Sequence, residues 1–120
     1  YIDHGSDCLI VTEAIVDMMS IMELAEDYKR YNYLSINSVT KYQAIFEHIK
    51  NDPNIKSVLM RVDHDTAGIK LNKKVCSELK EQFPDIRISV EYPKKEKDWN
   101  DYLVYQVNNR EKVDAYTIIF

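Results

Sequence analysis

The sequence predicts an α/β fold: a central, mainly parallel four-stranded sheet with helices on both faces. Three observations predict it. Short apolar runs rich in β-branched residues alternate with helix-type patterns four times along the chain, an order that builds parallel strands joined by crossover helices. Most of the strand runs are continuously apolar, which suits a sheet covered on both sides. The 120 residues, 45% apolar and 30% charged, suffice for one domain with a core and are too few for two.

Each element has its own reason. "CLIVTE" (8–13) is a β-branched run and reads as the first strand. "AIVDMMSIMELAEDY" follows at once, rich in Met, Ala, Leu and Glu with no Gly or Pro, and reads as a helix. "YLSIN" (33–37) is the second strand. Ser38 is an N-cap type, and Val39, Tyr42, Phe46 and Ile49 then recur at helical spacing up to the stop "NDP". "SVLMRV" (57–62) is the third strand. Leu71, Val75, Leu79 and Phe83 form the stripe of a third helix halted near Pro84. "IRISVEY" (86–92) alternates as a fourth strand, "PKKEK" is a charged loop, "DWNDYLVYQV" (98–107) is a short closing helix, and "AYTIIF" reads as a fifth strand or the start of a further element.

Composition narrows the function classes. The net charge is −4 and the pI is about 5.3, which argues against tight sequence-independent nucleic-acid binding by clustered Lys and Arg alone; a divalent cation or a partner domain changes that balance. Cys8 and Cys76 have neither metal-ligand nor disulfide-framework spacing, which points to a reducing, cytoplasmic compartment. Both read as core thiols. No apolar run reaches membrane-spanning length, and none of these residues reads as a signal peptide. The chain begins at Tyr1 and ends on "YTIIF", so residues 1–120 read as a single domain excised from a longer protein.

The chemistry gathers in "SVLMRVDHDTAG" (57–68). In an open α/β sheet, ligands bind outside the carboxyl ends of the strands. Glu13 closes the first strand there, and Asp63 and Asp65 close the third. Residues two apart in an extended chain point the same way, about 6.6 Å apart, and a neighbouring strand about 4.8 Å away brings Glu13 to the pair. Carboxylates converging at one rim repel one another. A hard cation with oxygen ligands relieves that, and Mg²⁺ favours a few carboxylates plus waters and phosphates. Gly68 lets the backbone turn from the strand into the third helix and leaves the loop open to a phosphate. Acids at strand ends are common, so the Asp-x-Asp pattern by itself is weak; Glu13 at the matching place on another strand strengthens it.

"LIVTEAIVDMMS", "VLMRVDHDTAG" and "KDWNDYL" together resemble the Toprim domain, a Rossmann-like fold shared by bacterial primases, phage primase–helicases, topoisomerases and a group of nucleases. The resemblance runs from Cys8 to about Val107. The family pattern is a strand ending in Glu, with an Asp four residues on in primases, and later a strand ending in Asp-x-Asp-x-x-Gly. Glu13, Asp17, Asp63, Asp65 and Gly68 fall on those positions. Ala14 departs from the usual Gly after the Glu and narrows the room for a phosphate. "KDWNDYL" is similar to the element of primase-type Toprim proteins, particularly those of plasmids and conjugative elements.

The resemblance implies roles. Glu13 acts as general acid or base and touches metal; Asp63 and Asp65 hold Mg²⁺ or Mn²⁺; Asp17 or Asp98 helps with a second cation. Lys97 is a candidate phosphate contact, as is the Gly68 loop. Asp17 is otherwise an acid stabilised by the helix dipole, and Asp98 also suits the N-cap of the last helix. Trp99, Tyr102 and Leu103 read as core anchors, and Asp101 as solvated. Arg61 shares the face of Asp63 and needs a carboxylate, either Asp17 or another acid of the cluster, or a purely structural pair. His64 points away from the aspartates. The implied activity is Mg²⁺-dependent phosphodiester or nucleotidyl-transfer chemistry on DNA or RNA, with nucleotides as possible partners, in a primase-like protein of a mobile element. Two rivals stand beside it: a metal-dependent nuclease, and a non-catalytic nucleic-acid-docking module.

Overall fold

The structure is a computed structural model and describes residues 1–25, 27–38, 41–93 and 98–107. The elements run β1 (Cys8–Thr12), α1 (Ile15–Leu24), a 3₁₀ turn (Tyr28–Arg30), β2 (Asn32–Ser35), α2 (Gln43–Asn51), β3 (Ser57–Met60), α3 (Thr66–Gln82) and β4 (Arg87–Val90), closed by α4 over 99–107. The expected final strand in "AYTIIF" lies outside the described residues.

The four strands form one sheet in the order β2-β1-β3-β4, and every strand pair is parallel. An antiparallel bridge from Ile2 to Tyr33 covers part of the β2 edge. Side chains leave β1 alternately, as a strand requires. Leu9 and Val11 enter one core with Ile45, Phe46 and Ile49 of α2 and Leu71, Val75 and Leu79 of α3. Ile10 enters the other with Met18 and Ile21 of α1 and Trp99 of α4. Helices therefore cover both faces, two to a side.

The chain goes from β1 outward to β2, then crosses back over β1 to β3 and on to β4. The direction of strand addition reverses between β1 and β3. Outside the carboxyl ends at such a reversal, the adjoining loops diverge and leave a crevice.

Several local expectations change. Helix α1 ends at Leu24 and not near Tyr28, because Ala25 is extended and the Asp27 side chain accepts from the Lys29 amide, tying the next residues into a tighter turn. Helix α2 starts at Gln43, with Tyr42 and not Ser38 at its N-cap. The Ser38 carbonyl instead closes a turn with the Lys41 amide at 3.0 Å. Cys8 and Cys76 are half-buried, at a strand entry and beside the α3 stripe, so neither is a core thiol. Among the described residues, no helix is long and apolar enough to cross a membrane.

Candidate active site

Asp63 lies just past β3, and its backbone N–H donates to Glu13 Oε1 across 3.3 Å. Glu13 follows β1 directly, and the β1–β3 register, with Val11 opposite Met60, is what sets the two acids side by side. Gly68 makes this approach possible. A Cβ at that position would collide with the Asp63 carbonyl oxygen and stand 3.2 Å from Glu13 Oε1. Gly68 sits in the first turn of α3; its role is close packing and not the strand-to-helix turn that the sequence suggests.

Asp65 takes the N-cap of α3. Its Oδ1 accepts from the Gly68 N–H at 2.8 Å, satisfying one of the helix's free amides. Asp17 is buried in the first turn of α1, where its carboxyl group is within hydrogen-bonding reach of Asp63. The Asn100 amide donates to Asp17 Oδ1 at 3.3 Å. Asp98 caps α4 by accepting from the Asp101 N–H at 2.8 Å, and its charge reaches both Asp17 and Asp63.

These acids act on one another. Burial, then the negative charges of Glu13, Asp17, Asp65 and Asp98, push the Asp63 carboxyl up to about 7. Burial, opposed by the Asn100 amide and reinforced by Asp98 and Asp101, also raises Asp17. Asp63 Oδ1 is buried with no hydrogen-bond partner, an oxygen that normally finds a donor or a cation. An oxygen-only donor set with excess negative charge and one orphaned oxygen suits a hard divalent cation. Among the described residues, no group of three or more His, Cys, Asp or Glu side chains is already set to hold a metal ion. The Asp65 cap and the Glu13–Asp63 amide bond keep part of the set turned onto the protein.

The remaining expectations divide. Arg61 does not reach Asp17. It pairs with Glu91 at 3.2 Å and lies over the Trp99 ring at 5.1 Å, because the side chain leaves β3 beside β4 and α4. His64 stacks on Tyr92 with centroids 4.5 Å apart, away from the aspartates. Trp99 is buried in the core beneath α1, with Tyr102 packed against it. Lys97 lies outside the described residues. Sequence reading missed Ser20, whose hydroxyl donates to Val16 O at 2.8 Å and whose Oγ lies 3.3 Å from Asn100 Oδ1, a contact between α1 and α4 beside Asp17. Its spacing of three from Asp17 on one helix face was the available signal.

A Toprim-like family pattern matches residues 10–103. No curated protein sequence matches the chain significantly. Among solved structures, the primase fragment of the bacteriophage T7 primase–helicase protein superposes with a TM-score of 0.61 at 22% identity, over 93% of this chain and 44% of the fragment. The chain thus spans less than half of that fragment, and the likeness is one of fold. With the family pattern covering most of its length and its acids gathered where β1 and β3 end, the chain belongs to the Toprim-like family, whose members include primases and nucleases that process nucleic acids.

Proposed function

We propose that this chain carries out Mg²⁺- or Mn²⁺-dependent phosphodiester or nucleotidyl transfer on DNA or RNA, as part of a longer, primase-like protein of a mobile element. One observation carries the reading: Glu13, Asp17, Asp63, Asp65 and Asp98 converge at the strand-order reversal, and Asp63 is driven up to about 7 by burial and its neighbours. Asp63 and Asp65, with Glu13 beside them, would hold the cation. When bound, it would neutralise charge on phosphate oxygens and orient an attacking hydroxyl.

The chain's own residues supply the rest. Glu13, at the mouth of β1, is placed to take or give a proton at that hydroxyl or at the leaving oxygen. Asp17 and Asp98 hold negative charge that tightens cation binding. The Ser20–Asn100 contact keeps α4, and so Asp98, at the rim. Lys97 and the loop at Gly68 are the proposed phosphate contacts.

Calorimetric titration with Mn²⁺ tests the reading. Saturable binding is expected in the wild-type chain, weakened at least about tenfold in Asp63→Asn, by analogy with the loss of a metal's supporting ligand. Cleavage of labelled DNA or RNA without nucleotides, abolished in Glu13→Gln, would point to a nuclease. The docking-module reading has its own support, since Asp65 already serves as a helix cap; it predicts no metal binding and unchanged nucleic-acid binding in Asp63→Ala.

A further inference from the structure

We infer that a second groove, between the end of α1 and the flank of α4, holds one nucleotide, its base among aromatic rings and its phosphate at Arg30. The choice of ligand class rests on the nucleic-acid reading above. The groove has a volume of about 510 Å³, within the usual range for small-ligand sites. Its walls include Arg30, Tyr31, Arg61, Glu91, Trp99 and Tyr102.

Three features of those walls call for a ligand. Arg30 is exposed, and among the described residues its guanidinium makes no ion pair. Arg61 Nε and Trp99 Nε1 are buried N–H donors with no partner, although Trp99 is only 5% exposed. Buried donors are normally satisfied, so an acceptor that reaches them once Arg61 moves aside supplies a partner that the described residues do not. A modest swing of Arg61 admits it, since the Glu91 that holds Arg61 is itself half exposed.

The chemistry of the walls selects among ligands. Asp27 and Glu91 also line the groove, so a plain polyanion meets repulsion there. An adenine nucleotide brings an anionic phosphate for Arg30, ring-nitrogen acceptors for the orphaned donors, an exocyclic amine for Glu91, and a flat face for the rings. The place is also apt. Arg61 precedes Asp63 by two residues and Trp99 follows Asp98, so two wall residues of the groove are close chain neighbours of rim acids. A strand with one phosphate at that rim can lay a neighbouring nucleotide in the groove.

Trp99 is the single tryptophan of the chain and reports occupancy directly. The 120-residue chain is titrated in EDTA with ATP and, separately, with a short oligodeoxyadenylate, following Trp99 fluorescence. A saturable change is expected with at least one probe. Response to ATP assigns the groove to free nucleotide; response to the oligomer alone assigns it to a strand. Tyr31→Ala is expected to weaken binding about fivefold or more, the loss typical of a stacking ring, and Arg30→Ala to weaken it comparably. Because no metal is present, failure of the acidic site leaves this titration untouched. Silence with both probes overturns the proposal. So does binding unchanged in Arg30→Ala, a surface variant whose folding circular dichroism verifies.

Discussion

At the scale of single residues, Asp63 governs the site. Its carboxyl is raised from 3.8 to about 7 in the folded chain, so between those values the folded state binds more protons than the unfolded state. Stability from this group is therefore greatest at low pH and declines as pH rises through that window. The metal-free chain is expected to melt progressively lower between pH 4 and pH 7, relative to Asp63→Asn, which lacks the titrating group. Parallel melting curves for the two proteins across this range would sink the assignment. Asp17 is also raised, first by burial, and adds in the same direction, whereas His48 is lowered by burial and acts oppositely. The difference between wild type and variant isolates Asp63. Adding Mn²⁺ at neutral pH is expected to raise the melting temperature, by about 2.7 kcal/mol of stability at a hundredfold excess over the dissociation constant, and chelation to reverse it.

At the scale of elements, the start of α3 is the sensitive joint. Gly68→Ala improves helix propensity by about 1 kcal/mol, yet the new methyl meets the Asp63 carbonyl oxygen, which is backbone and cannot swing aside. The net expectation is a loss of roughly 1–3 kcal/mol, as for overpacking elsewhere, read by urea unfolding. Asp65→Ala removes the cap on the Gly68 amide and is expected to lose about 1 kcal/mol even without metal. A variant as stable as wild type would show that relief of the repulsion with Asp63 offsets the whole capping bond. The acids at β1 and β3 were legible because strand ends announce themselves in "LIVTE" and "VLMRVDHD". The Arg61 partner was not, because period-two counting gives a face and says nothing of which element lies across from it.

At the scale of the molecule, two cores sandwich the sheet, and the acids come from both sides: Asp65 from the start of α3, Asp17 and Asp98 from α1 and the start of α4. Leu79 is fully buried beneath α3, and Leu79→Ala is expected to lose roughly 2–5 kcal/mol without altering the pH dependence set by Asp63. Trp99 anchors α4 over the opposite face. Trp99→Ala is expected to lose roughly 3–5 kcal/mol and also to weaken that pH dependence, since α4 carries Asp98 to the cluster. Chemical denaturation repeated at several pH values checks both. Equal pH dependence in the two variants would show that α4 does not supply charge to the site.

Alternation of apolar strands with amphipathic helices determined by itself that this chain forms a parallel sheet covered on both faces, because periodicity and burial are local properties of the sequence. It also placed Glu13, Asp63 and Asp65 at strand ends. Tertiary structure alone decided that β1 and β3 are neighbours at the reversal of strand order, that Arg61 answers Glu91, and that Ser20 meets Asn100 of α4 beside Asp17. Those outcomes depend on which surfaces meet across long stretches of chain; spacing along the sequence places Ser20 on the face of Asp17 but does not name the element across from it.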